Sequence, residues 1–334
     1  MNILVTGSDG FLGSKLIELL MKNNNLVVGV DSCVKYGDTE RVVNNNYIFI
    51  KQDVKNTKKL IEIMEKFRIN IVVSTAAIVG GVKINNETPY DMMIENLKID
   101  ISVYDACLYI HQHHDFFNKL IMISSSAIFD NNENDNITNQ YISDIKVPYY
   151  PYSMYKLTSE YMLRSLHNQY GLNYIILRPS NICGVGNFIP KKDNLLNHVI
   201  IDLIFKALYQ QRNMKIIGDG KQQRQYTHVN DVCQAIYICI TRPDILNIEL
   251  NVSSSKIISI SNILDIIWKK IYSEEINFDY RTIDNNVYDI KSRTLDTKKT
   301  EEILNYRCDI SIDDIITEMI DWIKCISNNI ERTQ

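Results

Sequence analysis

The chain has 334 residues, 45% of them hydrophobic and 23% charged, which suits a soluble globular protein with a sizeable core. A formal net charge of −4 gives no overall basic field, arguing against nucleic acid or an anionic membrane as partner. No apolar run approaches the roughly 20 residues that span a bilayer. "MNILVTGSDG" enters a strand-like run without a basic leader or cleavage site.

In chain order, "NILVT" (2–6), "LVVGV" (26–30), "YIFI" (47–50), "INIVVS" (69–74), "KLIMIS" (119–124) and "NYIILR" (173–178) predict strands. Their near-continuous apolar character suits parallel strands buried on both faces. Helices are expected near 11–22, 57–67, 91–111 and 152–169. The alternation predicts an α/β fold, a Rossmann-type doubly wound parallel sheet. After about residue 180 the pattern loosens. A helix over 195–210, a short strand "MKII", a helix from Asn230 and helices near 260–271 and 312–327 suggest a smaller α/β C-terminal substrate lobe. The expected division is 1–180 for dinucleotide binding and 181–334 mostly for substrate, with 225–252 as a candidate segment for crossing back.

The first turn, "VTGSDGFLG", places Gly7, Gly10 and Gly13 between strand and helix, in a GxxGxxG spacing. Glycines there permit a tight turn, a close backbone approach to a pyrophosphate and close helix packing. The helix start (Phe11, Leu12) supplies N–H groups to the anion. Asp31, at the end of the second strand, is positioned to bind the adenosine ribose hydroxyls and to repel a 2′-phosphate. That favours NAD(H) over NADP(H), with Lys35 and Arg41 close by as the opposing signal. "QDV", with Asp53 and Val54, follows the third strand and is a candidate for the adenine edge. "STAAIVGG" brings the small residues Ala76 and Ala77 beside a cofactor.

Cys33, Cys107, Cys183, Cys233, Cys239, Cys308 and Cys325 form an odd set with no CxxC pair, and several sit in apolar runs. A reduced, cytoplasmic protein is the economical expectation. "HQHH" (111–114) ends a predicted helix without Cys, Asp or Glu partners at ligand spacing, so surface histidines are expected rather than a metal site. The polar tract 130–140 reads as a loop after a strand end, near any active site.

"VPYYPYSMYKLTSE" (147–160) holds four tyrosines and one lysine. Pro151 suits a first helical turn, which leaves Tyr149 and Tyr150 in the preceding loop. Residues i and i+4 share a helix face, whereas neighbours diverge by about 100°. Tyr152 therefore stacks one turn below Lys156 and Tyr155 points elsewhere. An ammonium beside the phenol favours phenolate, the base form needed to move a proton. Ser124, Ser125 and Ser126, at the end of the fifth strand, are the candidates to hold a substrate oxygen.

With these motifs in this order, the chain resembles, over nearly its whole length, the extended short-chain dehydrogenase/reductases of the NAD-dependent epimerase/dehydratase family, which act on nucleotide sugars. In that family the catalytic Ser or Thr lies four residues before an aromatic residue; Phe129 fills that place and selects Ser125. The resemblance implies catalytic roles for Ser125, Tyr152 and Lys156, with both Tyr152 and Lys156 also at the cofactor. It places Pro179, Asn181 and Ile182 of "RPSNICG" at the cofactor, Val79 and Asn181 at the substrate, and Arg224 of "IGDGKQQRQYTHVND" on the nucleotide diphosphate.

Within the family the chain is most similar to the GDP-L-fucose synthases, through "AAIVGG", "NHVIIDLIFKA", "SRTLDTKK" and "ISIDDIITEMIDWI". That likeness makes His198 a catalytic acid and Lys206 a substrate-binding residue. Ala127 departs from it, standing where those enzymes carry an epimerising cysteine, and an alanine moves no proton. Asp9 and Asp31 replace residues that read NADPH. Ser126 and Ala127 also occupy the place of the Asp-Glu pair of 4,6-dehydratases. The expected substrate is a nucleotide diphosphate sugar, with GDP favoured and UDP or dTDP open. The expected reaction is reduction of a 4-keto-6-deoxy sugar, with or without epimerisation. A 4-epimerase that retains NAD and a catalytically silent dinucleotide-binding protein are the other two readings. A homodimer is expected through a four-helix bundle of 91–111 and 152–169.

Overall fold

The apolar runs of the N-terminal half pair with one another because strands buried on both faces must satisfy their backbone groups within the sheet. The computed structural model describes residues 1–23, 25–35, 37, 41, 45–80, 87–130, 145–186, 198–210, 215–217, 219–276, 281–283 and 292–332. Its strands are β1 (Asn2–Thr6), β2 (Leu26–Asp31), β3 (Tyr47–Lys51), β4 (Ile71–Ser74), β5 (Lys119–Ile123), β6 (Tyr174–Pro179), β7 (Asn181–Cys183), β8 (Lys215–Ile217), β9 (Gln223–His228), β10 (Ile248–Val252), β11 (Ile257–Ser259), β12 (Arg281–Ile283) and β13 (Ser292–Arg293). Seven of them form a parallel sheet in the order β10-β6-β5-β4-β1-β2-β3. This is the expected Rossmann-type arrangement. The order reverses between β1 and β4, and a ligand crevice opens outside the carboxyl ends of the strands at such a point.

The helices are α1 (Phe11–Met21), α2 (Thr57–Lys66), α3 (Pro89–His113), α4 (Pro151–Tyr170), α5 (Val199–Phe205), α6 (Val229–Thr241), α7 (Ile260–Tyr272), α8 (Lys298–Leu304) and α9 (Ile312–Arg332). Alternate residues of a strand face opposite sides. Accordingly Ile3 and Val5 pack under α1 and α6 with Leu16, Leu20 and Ile236. Leu4 faces the other layer, with Leu60 of α2, Val103 of α3 and Leu163 of α4. A separate core joins α5, α7 and α9 through Ile204, Trp268, Ile316 and Ile320. A smaller sheet links the two regions: β9 pairs with β7, β11 and β13.

Two expectations change in detail. The helix expected over 195–210 starts at Val199 and becomes π-helical at Lys206–Gln210, while 195–197 lie outside the described residues. Of the polar tract, only Asp130 is described; it closes a 3-10 turn over Ser126–Phe129. No helix among the described residues is long and apolar enough to cross a membrane.

Candidate active site

The glycine turn sits at the β1/β4 crevice. Gly7 has φ of 68°, and a Cβ there would fall 2.7 Å from the Ala76 backbone. A Cβ at Gly13 would fall 2.2 Å from the Gly7 carbonyl oxygen. Only glycine lets β1, β4 and α1 meet this closely. Gly10 caps α1, whose first turn offers amides without intrahelical acceptors, as an anion requires.

At the end of β2, Asp31 Oδ2 accepts from the Asp9 amide at 3.0 Å and Oδ1 from the Cys33 amide at 2.8 Å. The carboxylate is thereby fixed, with lone pairs left for ribose hydroxyls. Arg41, the candidate for attracting a 2′-phosphate, is engaged by the buried Asp9 (Nε to Oδ1, 3.1 Å) and stacks 3.5 Å above the Phe49 ring. The pocket residues thus fit an adenosine with a free 2′-hydroxyl. Val54 is buried and its carbonyl accepts from Ser102 at 2.6 Å, whereas Asp53 is half exposed beside it. Thr75 Oγ1 donates to the Thr6 carbonyl at 2.6 Å, and the Ala76 amide donates to Thr6 Oγ1 at 3.3 Å. These contacts hold Ala76 and the following Ala77 and Val79, all partly buried, beside the glycine turn.

Pro151 opens α4 at its first position and Tyr150 caps it, so Tyr152 falls in the first turn. Ser125 lies beside Tyr152, close enough for its hydroxyl to favour the phenolate. Ser125 Oγ in turn accepts from the Ala127 amide at 3.1 Å. Ser124 is committed elsewhere, donating to Glu160 at 2.5 Å. Of the three serines, only Ser125 is shown meeting the tyrosine.

Lys156 departs from expectation. Its Nζ donates to the Ile123 carbonyl at 2.6 Å and lies 4.9 Å from the ring centroid of Tyr155, the residue expected to point away. Burial lowers its pKa, while Asp100 and then Glu160 raise it. Its long side chain reaches the sheet, so one-turn spacing alone does not join it to the phenol. Tyr152 is accordingly not depressed. Burial pushes its phenol up to about 12, against the Ser125 hydroxyl beside it; Asp100 and Asp130 raise it further and Arg293 lowers it.

The small sheet carries several of the substrate candidates. Asn181 on β7 donates to the Gln225 carbonyl at 2.9 Å and, with Phe11, Ile182, His198 and Tyr226, lines one cavity. Pro179 ends β6 two residues before Asn181. Arg224 on β9 stands in register with Arg293 on β13. His198 caps α5 and is exposed; surrounding protein, then the charge of Lys35, lower its pKa, an effect that its contact with water limits. Lys206 pairs with Asp202 at 2.6 Å. The structure therefore gathers Ser125 and Tyr152, and separately Asn181 and His198. It leaves Lys206 on a carboxylate of its own helix.

Three residues were missed in the sequence: Asp100, Asp130 and Arg293. Asp130 stood at the edge of a polar tract and Arg293 inside "SRTLDTKK", where nothing local distinguishes them from solvated charges. The "HQHH" histidines bond separately, to the Tyr170 carbonyl, the Tyr109 carbonyl and Glu65.

Residues 3–252 match the model of the NAD dependent epimerase/dehydratase family. A UDP-glucuronate 4-epimerase of Thermodesulfobacterium geofontis is 28% identical over 96% of this chain and 95% of its own. Among solved structures, a UDP-N-acetylglucosamine 4-epimerase of Methanobrevibacter ruminantium, in complex with UDP-N-acetylmuramic acid, aligns with a TM-score of 0.81 at 25% identity, covering 98% of each chain. A UDP-glucose 4-epimerase of Thermotoga maritima with UDP-glucose aligns with a TM-score of 0.82 at 22% identity, covering 98% of this chain and 100% of that one. These relatives are 4-epimerases named for UDP-sugars, and they lend no support to the expected closeness to GDP-L-fucose synthases or to a GDP preference.

Proposed function

The chain belongs to the NAD dependent epimerase/dehydratase family, and from that premise we propose that it inverts C4 of a UDP-sugar while retaining NAD. The observation that carries this reading is the juxtaposition of Ser125 and Tyr152, with the methyl of Ala127 as the next side chain but one. The pair serves one oxygen, and Ala127 offers no second acid or base for a neighbouring carbon.

The glycine turn and Asp31 would hold NAD, which would supply an acceptor and then a donor for the C4 hydride. Tyr152 takes the proton of the 4-hydroxyl as the carbon is oxidised and gives it back when the opposite face is reduced. Ser125 holds that oxygen in both stages. In this reading Arg224 binds the diphosphate, and Asn181 lines the cavity that also reaches Phe11 at the start of α1. Lys156 keeps the end of β5 against α4 and is the group available to a nicotinamide ribose. Because hydride leaves and returns within one turnover, no external reductant is consumed. Reduction of a 4-keto sugar would consume it.

The test is incubation with UDP-glucose, UDP-N-acetylglucosamine and UDP-glucuronate, each without added coenzyme, followed by NMR of the sugar. The expected product is the C4 epimer of at least one of them. Conversion of a 4-keto sugar only when NADH or NADPH is supplied, with no C4 inversion, would replace this reading by the reductase.

Two further expectations belong here. Asp31→Asn is expected to weaken NADH binding roughly 10-fold or more, since a hydrogen bond to a charged group is worth about 1.5–3 kcal/mol. NADPH should be less affected, and fluorescence titration of coenzyme-stripped protein reads both. A homodimer through α3 and α4 also forms part of this reading, because these adjacent helices expose Ile101, Tyr109 and Tyr161. Sedimentation equilibrium should give twice the chain mass, and Tyr161→Glu should lower it.

A further inference from the structure

Asp130 is a carboxylate in an unexpected place: its side chain is 3% exposed, close to Tyr152, and bonded on both oxygens. Ser153 Oγ donates to Oδ2 and Arg293 Nη1 donates to Oδ1. Ser153 is the residue after Tyr152 in the first turn of α4. On the other side the Asp130 amide donates to the Ala127 carbonyl at 3.0 Å, and the Ala127 amide donates to Ser125 Oγ at 3.1 Å. Ser125 meets Tyr152. These contacts close a ring: Tyr152, Ser125, the 3-10 turn, Asp130, Ser153 and back to Tyr152. Arg293 locks that ring to β13, a strand contributed by the C-terminal part of the chain and paired with the strand that carries Arg224.

We propose that Asp130, clamped by Arg293, is a positioning residue for Tyr152, fixing the separation of the phenol from Ser125 and coupling it to the substrate-side sheet. Geometry supports a positioning role over a merely structural one. This carboxylate spans the two segments that carry Ser125 and Tyr152, and a misplacement of about 1 Å there can cost on the order of 100-fold. The charges matter as well. The groups bearing on Tyr152 are Asp100 from α3, Asp130 from the turn, Arg293 from β13 and Ser125; those bearing on Asp130 are Arg293, Arg224 and Ser153. Asp130 raises the phenol and Arg293 lowers it. Removing either charge therefore moves the tyrosine in opposite directions, which loss of packing would not do.

The inference rests on the epimerase reading for its rate assay alone. Ser153→Ala keeps the ion pair and breaks one link of the ring. It is expected to lower kcat about 10-fold or more, with KM and the pH profile little changed. Asp130→Asn should lower kcat similarly and move the rising limb of the profile, set by Tyr152, to lower pH. Arg293→Met should move it to higher pH. 13C NMR of labelled tyrosine, with Tyr152 assigned by its loss in Tyr152→Phe, reads the phenol titration with no turnover at all. Opposite shifts in that titration support the proposal even if no UDP-sugar is converted. It is overturned if the variants fold and titrate like the native chain, or if Ser153→Ala retains the native kcat.

Discussion

Tyr152→Phe is expected to lower kcat for C4 inversion by about 10²–10⁴-fold, the contribution of a positioned general acid–base. The phenyl ring keeps its packing, including the edge contact with Tyr155 at 5.4 Å between centroids, so folding should be unaffected. What disappears is the hydroxyl that meets Ser125. KM for the sugar should change little, because on the proposed mechanism the hydroxyl acts on the reacting oxygen and the nucleotide is held by other residues. Tyr155→Phe is the matched control. Its hydroxyl is buried without a hydrogen-bond partner, and removing it should leave kcat near native and stability equal or higher. Steady-state kinetics and thermal melts on the two variants separate the roles. With Tyr152 raised to about 12, the unliganded enzyme holds it protonated at neutral pH, and activity should climb with pH until the base form is populated.

Breaking the Glu160–Arg178 pair should cost stability of a different order, about 3–5 kcal/mol. Both side chains are 0% exposed. Arg178 donates to Glu160 through Nε at 2.9 Å and Nη2 at 2.6 Å, Ser124 donates to the same carboxylate, and Phe129 lies beneath the guanidinium at 5.5 Å. The pair fastens α4 to the ends of β5 and β6, so it supports the tyrosine from behind. Arg178→Met leaves a buried carboxylate facing the Ser124 hydroxyl without its cation, and Glu160→Leu takes the opposing charge from a buried guanidinium. Urea denaturation should show each single variant losing that amount, and the double variant recovering much of it, because two apolar residues replace two charges that are costly to bury. Additive losses would mean that the charges do not act as a pair.

The parallel sheet was legible because its strands are continuous apolar runs, whose period and length leave little ambiguity. Tyr152 was legible because Pro151 marks the helix start and a helix fixes which tyrosine falls in its first turn. The partner of Lys156 was not. A lysine chain is long, and its acceptor is a backbone carbonyl on β5 that no sequence pattern advertises. The Asp130–Arg293 contact joins residues 163 positions apart, and each looks like an ordinary surface charge in its own segment. The short strands of the linking sheet escaped for a related reason: at two to six residues they carry too few alternations to set a period. The likeness to GDP-L-fucose synthases leaned on segments around the site, whereas Ala127 and Asp31 already pointed toward the NAD-retaining reading.

The most direct test of the central claim follows a deuterium label at C4 of a UDP-sugar that the protein converts. Retention of NAD with Tyr152 as the shuttling base predicts that the C4 epimer keeps its deuterium, that none appears in water, and that NADH is neither consumed nor released. Loss of the label to solvent, or its replacement by hydrogen from added NADH, would contradict the account.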